Sequence, residues 1–120
     1  MDRLDRVLMD LRKFVTRRDW GQFHDPKNLA MAVASEAGEL LAEYRWVSNA
    51  AADRWSEVSV NRARVTAEAA DVGIALLLLS DRIGFDLVDA IRAKIRVNSV
   101  NYPASTARGK ATRPLRPRRH

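Results

Sequence analysis

The first regular signal along the chain is an apolar stripe. Leu4, Val7, Leu8, Leu11, Phe14 and Val15 recur at helical spacing with Arg and Asp between them, which predicts a helix over about 2–18 with one apolar face. The string RDWGQFHDP breaks that period with Gly21 and Pro26. A connection both aromatic and polar has more reason to be functional than an anonymous linker. Asp25 is placed to cap a second helix, and Pro26 fits its first position, where the missing N–H costs nothing. This helix is expected to run through Leu29, Val33, Leu40 and Leu41 to about Trp46. SNAADRWSEVS reads as a polar loop, with Ser56 or Ser59 available to cap the next helix.

A third helix is expected over about 60–83. Its second half, DVGIALLLL, is apolar on every side, which predicts burial all round. A lone helical domain of this size buries at most one broad face per helix, so the pattern predicts that the third helix also packs in a subunit interface. Gly84 ends the helix, and Asp86 can cap a fourth that stops near Asn101, before Pro103. Short connections between four helices define an all-α four-helix bundle. Of the four prolines, three fall at or beyond position 103, so the preceding chain is almost free of helix breakers.

Charge changes this picture only at one end. The net charge of +6 suggests nucleic acid until it is located: residues 1–103 hold 15 basic and 15 acidic side chains. The excess is Arg108, Lys110, Arg113, Arg116, Arg118 and Arg119, with no acid among them. The expected organisation is a neutral domain over 1–103 and a basic, disordered tail over 104–120. Such a tail would touch RNA, DNA or an anionic surface only weakly and without sequence preference. The absence of cysteine excludes disulfide and thiolate chemistry and fits a cytoplasmic protein. The longest apolar run, Val72 to Leu79, is far short of a membrane span.

The candidate chemistry lies in two acidic pairs. Glu36 and Glu39 stand three residues apart on the second helix, and Glu68 and Asp71 three apart on the third. This spacing puts each pair on one helix face, and only Ala or Gly stands between the members. Like charges so placed repel, and two such pairs on adjacent helices would conflict further unless a divalent cation intervened. Four carboxylates with no His or Cys form a hard-cation set, pointing to Mg²⁺, with Mn²⁺ possible, rather than zinc. Mg²⁺ keeps waters and takes phosphate oxygens as further ligands, so the implied substrate is a phosphate ester or anhydride. One such pair alone would be an ordinary solvated face. Both have strongly apolar helix beside them, which places the acids at the edge of a core. A di-iron centre would need Glu-x-x-His, and neither His24 nor His120 stands in that position.

The strings RDWGQFHDPKNLAMAVASEAGELLAEYRW, EAADV and KIRVNSVNYP, in this order, resemble the MazG-like all-α nucleotide pyrophosphohydrolases, and among them the dCTP pyrophosphatase branch. The resemblance spans roughly residues 4–103. It implies a helical bundle assembled as a dimer or tetramer, Mg²⁺, and cleavage of a nucleoside triphosphate to monophosphate and pyrophosphate. Glu36, Glu39, Glu68 and Asp71 match the family's metal ligands. Glu43 either supports them or is simply solvated. Lys94 and Asn98, with Tyr102 a turn later, match its phosphate-binding positions, although Lys94 would otherwise read as an ordinary surface lysine. Trp20, Phe23, His24 and Trp46 match aromatic positions near base and phosphates, and Asn28 belongs to the same string. For Trp20 the rival reading is simple core, and for His24 a satisfied loop histidine. The dCTP-specific branch has a histidine at the position of Leu11 and a tyrosine at that of Ala75, so the resemblance carries the metal chemistry further than the cytosine preference. A non-catalytic nucleotide or metal binder on the same bundle, and a nucleic-acid binder acting through the tail, are the alternatives.

Overall fold

The computed structural model describes residues 1–111. Among these every regular element is helical: α1 Arg3–Arg17, α2 Pro26–Glu43, α3 Ala52–Glu57, α4 Ser59–Ile83, α5 Leu87–Asn101 and α6 Ala104–Ala107, with 3₁₀ turns at Gly21–Phe23 and Asn49–Ala51. The four long helices match the expected ones, and α3 and α6 are additions to them. No helix among the described residues is long and apolar enough to cross a membrane. The chain divides into two compact units, Met1–Phe85 and Asp86–His120.

In the first unit the helix ends follow local chemistry. Asp2 and Asp5 form a reciprocal cap at the start of α1. The Asn28 amide donates to Asp25 Oδ1 at 2.9 Å, and Pro26 occupies the first turn of α2, as the sequence signal requires. α2 stops at Glu43 rather than near Trp46. Tyr44 turns out of the helix, its N–H donating to the Leu41 carbonyl, and its ring packs on Trp55 with centroids 5.1 Å apart. That contact also explains why the expected polar loop is largely helical. Trp55 supplies an apolar anchor, Tyr44 Oη and Ser56 Oγ lie 2.7 Å apart, and Ser56 Oγ donates back to the Ala52 carbonyl. Neither Ser56 nor Ser59 caps α4, whose start carries no side-chain cap. Ser48 instead caps the Asn49–Ala51 turn. Gly84 ends α4 at φ +93°, a left-handed conformation that glycine adopts without a Cβ penalty.

α2 and α4 are the dominant packed pair. They run antiparallel: Leu29 and Ala32 share a cavity wall with Leu78 and Ala75, while Glu39 and Glu68 bring carboxylate oxygens within 4.8 Å of each other. Among the described residues the buried side chains are Leu29, Ala75 and Ser80; Ser80 Oγ donates to the Leu77 carbonyl at 2.8 Å. The expected all-round burial of DVGIALLLL is not met within the chain. Ile74 is exposed, and Val72, Gly73 and Leu76 to Leu79 are half-buried.

In the second unit Asp86 caps α5 through the Asp89 amide, and α5 ends at Asn101 with Pro103 just beyond. The expected tail begins with the helical turn α6 rather than irregular chain. Its remaining basic residues Arg113, Arg116, Arg118 and Arg119 lie outside the described residues.

Candidate metal centre

The spacing that puts Glu36 and Glu39 on one face of α2, and Glu68 and Asp71 on one face of α4, acquires its meaning from the packing of those helices. Glu36, Glu39 and Glu68 each bring a carboxylate oxygen within 4.8 Å of the others. Asp71 lies beside this group, its charge felt by both Glu36 and Glu68, without an oxygen inside that 4.8 Å set. Glu36 and Glu68 are half-buried, while Glu39 and Asp71 reach solvent.

Two oxygens make the strain explicit. Glu36 Oε2 and Glu68 Oε2 are buried and have no hydrogen-bond partner, and none of the four acids is ion-paired to a described Lys or Arg. Burial, then the charge of Glu39 and that of Asp71, push the Glu36 carboxyl above its ordinary pKa. Glu68 is pushed up by burial first, then by Glu39 through charge and a shared hydrogen bond, then by Asp71 and Glu36. A carboxylate oxygen removed from water without a donor is costly, and a divalent cation relieves that cost for several carboxylates together. The all-oxygen donor set suits a hard cation, so these residues fit one.

A cavity of about 250 Å³ opens beside the acids. Its polar lining is His24, Asn28, Glu36 and Asp71, and its apolar lining includes Phe23, Leu29, Ile74, Ala75 and Leu78. Asn28 has a local task as well: its Nδ2 donates to the Phe23 carbonyl at 3.0 Å, fixing the loop that carries Phe23 and His24. Neither Trp20 nor Trp46 lines this cavity. Trp20 is not core; it meets Phe14 edge-to-face at 5.6 Å, with the Arg18 guanidinium 3.7 Å from the Phe14 centroid. Trp46 is 90% exposed just past the end of α2. Glu43, on the last turn of α2, is half-buried. On α5, Lys94 and Asn98 stand one turn apart, and the Tyr102 N–H donates to the Asn98 carbonyl at 2.7 Å. Asn98 Oδ1 is buried without a partner among the described residues.

Sequence reasoning missed a second group in the first unit. Arg12 on α1 grips Asp81 on α4, with Nη2 2.6 Å from Oδ1 and Nε 3.1 Å from both oxygens. Arg82 Nη1 donates to the Gly21 carbonyl at 3.2 Å. These residues lie 61 to 69 positions apart in a chain rich in arginine, so no local motif marks them.

A helical chain with a carboxylate cluster beside a cavity can hold a hard divalent cation, and comparison with known proteins narrows the class. A crystal structure of a pyrophosphatase from Archaeoglobus fulgidus superposes with a TM-score of 0.78 at 31% identity, covering 86% of this chain and 94% of that one. The chain belongs to the MazG-like all-α nucleotide pyrophosphohydrolase family. It is also similar to dCTP pyrophosphatase 1 of Rattus norvegicus, 37% identical over 109 residues and 88% of this chain, and to that of Homo sapiens, 36% identical over 106 residues and 85% of this chain. It spans 64% and 62% of those two relatives' lengths. No family model matches the chain.

Proposed function

We propose that this protein hydrolyses a nucleoside triphosphate to the monophosphate and pyrophosphate with Mg²⁺, or Mn²⁺, held by Glu36, Glu39, Glu68 and Asp71. The observation that carries the reading is the convergence of three carboxylates within 4.8 Å, two of their oxygens buried and unpartnered, at the edge of a cavity. The relatives named dCTP pyrophosphatase 1 favour dCTP or a modified pyrimidine deoxynucleotide, and nucleotide-pool sanitation is the corresponding role. The domain proposed to do this is residues 1–103, with 104–120 as a basic appendage.

When bound, such a cation neutralises phosphate oxygens and acidifies a coordinated water. The protein's own part is positional. Glu36 and Glu68, half-buried on facing helices, fix the spacing of the donor set, while Glu39 and Asp71 meet the solvent from which substrate and water arrive. Phe23, Leu29 and Ala75 give the nucleoside an apolar wall that excludes water beside the charged end. His24 and Asn28 offer polar contacts on the same cavity. Lys94, Asn98 and Tyr102 are proposed as phosphate contacts on the family pattern, and Trp20 and Trp46 as contacts to the base.

We also propose a homo-oligomer, dimer or tetramer. Support comes from large apolar side chains left in water: Leu41 is 72% exposed, and Met31, Ile91, Ile95 and Val100 are all exposed. Apolar side chains in water favour a partner that covers them. Sedimentation showing a monomer at micromolar concentration would remove this part of the reading.

The activity is tested with a panel of canonical and modified nucleoside triphosphates with Mg²⁺, scoring pyrophosphate against orthophosphate. Pyrophosphate with equimolar monophosphate is expected. Nucleotide binding without pyrophosphate release would overturn the hydrolase reading in favour of a non-catalytic binder.

A further inference from the structure

The segment 19–25 joins α1 to α2 and carries two residues of the cavity beside the carboxylates, Phe23 and His24. Its backbone is organised from within and from α1. The Trp20 N–H donates to the Val15 carbonyl at 3.1 Å, the Phe23 N–H to that of Trp20 at 2.9 Å and the His24 N–H to that of Gly21 at 3.1 Å. Those bonds shape the turn but do not seat it on α2 or α4. Two side chains from these helices do. Asn28 Nδ2, on α2, donates to the Phe23 carbonyl at 3.0 Å. Arg82 Nη1, on α4, donates to the Gly21 carbonyl at 3.2 Å across 61 positions of sequence.

Phe23 depends on such seating. It is 57% exposed, so packing holds its ring only weakly and the ring stands where the backbone puts it. Gly21, two residues earlier, adds backbone freedom to the turn. A carbonyl has two acceptor lone pairs, and those of Gly21 are both engaged, by His24 from within the turn and by the Arg82 guanidinium from outside it. A charged donor strengthens such a bond. Arg82 is exposed, and water competes for both partners, so the bond adds little to global stability. Its consequence is local.

We propose that Arg82 is a positioning residue: its hold on the Gly21 carbonyl keeps segment 19–25 seated on α4, so that Phe23 forms the nucleoside wall of the cavity beside the metal centre. The proposal rests on the triphosphate hydrolysis proposed above. Arg82 does not line that cavity; it acts through Phe23. In the same reading the phosphates meet the cavity at Glu36 and Asp71, on its acidic side. Loss of Arg82 therefore weakens the nucleoside's share of binding and leaves the phosphates' share and the chemical step alone.

The first measurement is amide hydrogen exchange on the full chain without metal or nucleotide, which needs no activity. In Arg82→Met, which keeps an apolar stem and removes every donor, the Phe23 and His24 amides should exchange several-fold faster, while those of Leu77 and Leu78 keep their rates. Arg82→Lys, which keeps a cationic donor, should lie between. The second measurement is steady-state kinetics with Mg²⁺ on whichever nucleotide wild type cleaves best. Arg82→Met should raise KM several-fold at nearly unchanged kcat, as expected when binding common to ground and transition states is lost, and Arg82→Lys should recover part of the loss. Inhibition by inorganic tripolyphosphate, which has the phosphates without the nucleoside, should not change. In a Phe23→Ala background Arg82→Met should add little, because the wall it positions is gone. Unchanged exchange at Phe23 and His24, or faster exchange throughout α4, would overturn the positioning role. So would a fall in kcat at constant KM, tripolyphosphate inhibition weakened in step with KM, or full additivity with Phe23→Ala. Wild type that releases no pyrophosphate from any nucleotide would overturn the hydrolase reading and this role with it, even where the exchange result shows the turn loosened.

Discussion

The pair α2–α4 and the segment formed by α1 with the Gly21–Phe23 turn hold to the same unit by different means. α2 and α4 share the largest packed surface, contain all the buried residues among those described, and bring three carboxylates within 4.8 Å. α1 carries the cleanest apolar stripe in the sequence yet buries no residue completely, and its visible anchors are Arg12 on Asp81 and Arg82 on the Gly21 carbonyl. The difference teaches that amphipathic periodicity marks a helix with one face to offer, not the helix that forms the core. The core helices have blurred periodicity because apolar residues stand on several of their faces, more than the chain itself covers, and their mutual packing is what brings like charges together.

The largest effect should come from breaking the cluster itself. Glu39→Ala or Asp71→Ala is expected to lower pyrophosphate release by on the order of a hundredfold or more, as loss of an electrostatic group at a reacting centre does, with the helical circular dichroism signal intact. Near wild-type turnover in either variant would refute the site assignment. Leu29→Ala probes the packing beneath it. Leu29 is 3% exposed, and truncation of a buried leucine costs about 2–5 kcal/mol. Val7→Ala on α1, at a residue already 43% exposed, should cost well under half of that. Chemical denaturation of both variants measures the contrast, and equal losses would mean that α1 belongs to the core after all.

A third contrast depends on pH. Glu36 and Glu68 have pKa values raised in the folded protein by burial first and by neighbouring acids second. Above the ordinary glutamate pKa the unfolded chain has released these protons while the folded chain still binds them. Stability of the metal-free protein therefore falls as pH rises through the window between the ordinary and the raised values. Thermal melts in a chelator should show this fall, and Mg²⁺ should flatten it, since a cation replaces the protons. Removing one charge sharpens the point: Glu39→Gln should raise the melting temperature without metal and shrink the Mg²⁺-induced increase. A metal-free protein whose stability rises over that window would contradict the electrostatic description of the cluster.

Much of this was legible in the chain because the signals were local. Asp25–Pro26, Gly84 and Asp86 mark helix ends through their own backbone and side-chain chemistry, and all three act as read. The acids were legible because i, i+3 spacing on two apolar helices has few bland explanations. Trp55 was not legible: it anchors a helix in a segment whose composition is polar, through Tyr44, eleven residues earlier. Nor could spacing show that Asp71 would sit beside the 4.8 Å group rather than within it, because that depends on the relative height of α2 and α4. The Arg12–Asp81 pair is farther still from any local rule, joining residues 69 apart.

The smallest effect belongs to that pair, and it tests whether α1 is held by charge. Arg12 and Asp81 meet with two-pronged geometry, but both side chains see solvent, and exposed ion pairs contribute little because water and salt screen them. Asp81 raises the Arg12 pKa above its ordinary value, through the hydrogen bond first and charge second, so the guanidinium keeps its charge wherever the Asp81 carboxylate keeps its own. Arg12→Ala should lower the melting temperature by no more than a few degrees in dilute salt. At ~1 M salt, where the Debye length is about 3 Å, the difference should contract without vanishing, because hydrogen bonds with the 2.6–3.1 Å geometry of this pair are shorter than or comparable to that length. Leu29→Ala should show no such contraction. A salt-independent loss for Arg12→Ala would mean that its aliphatic stem, rather than its charge, holds α1 in place.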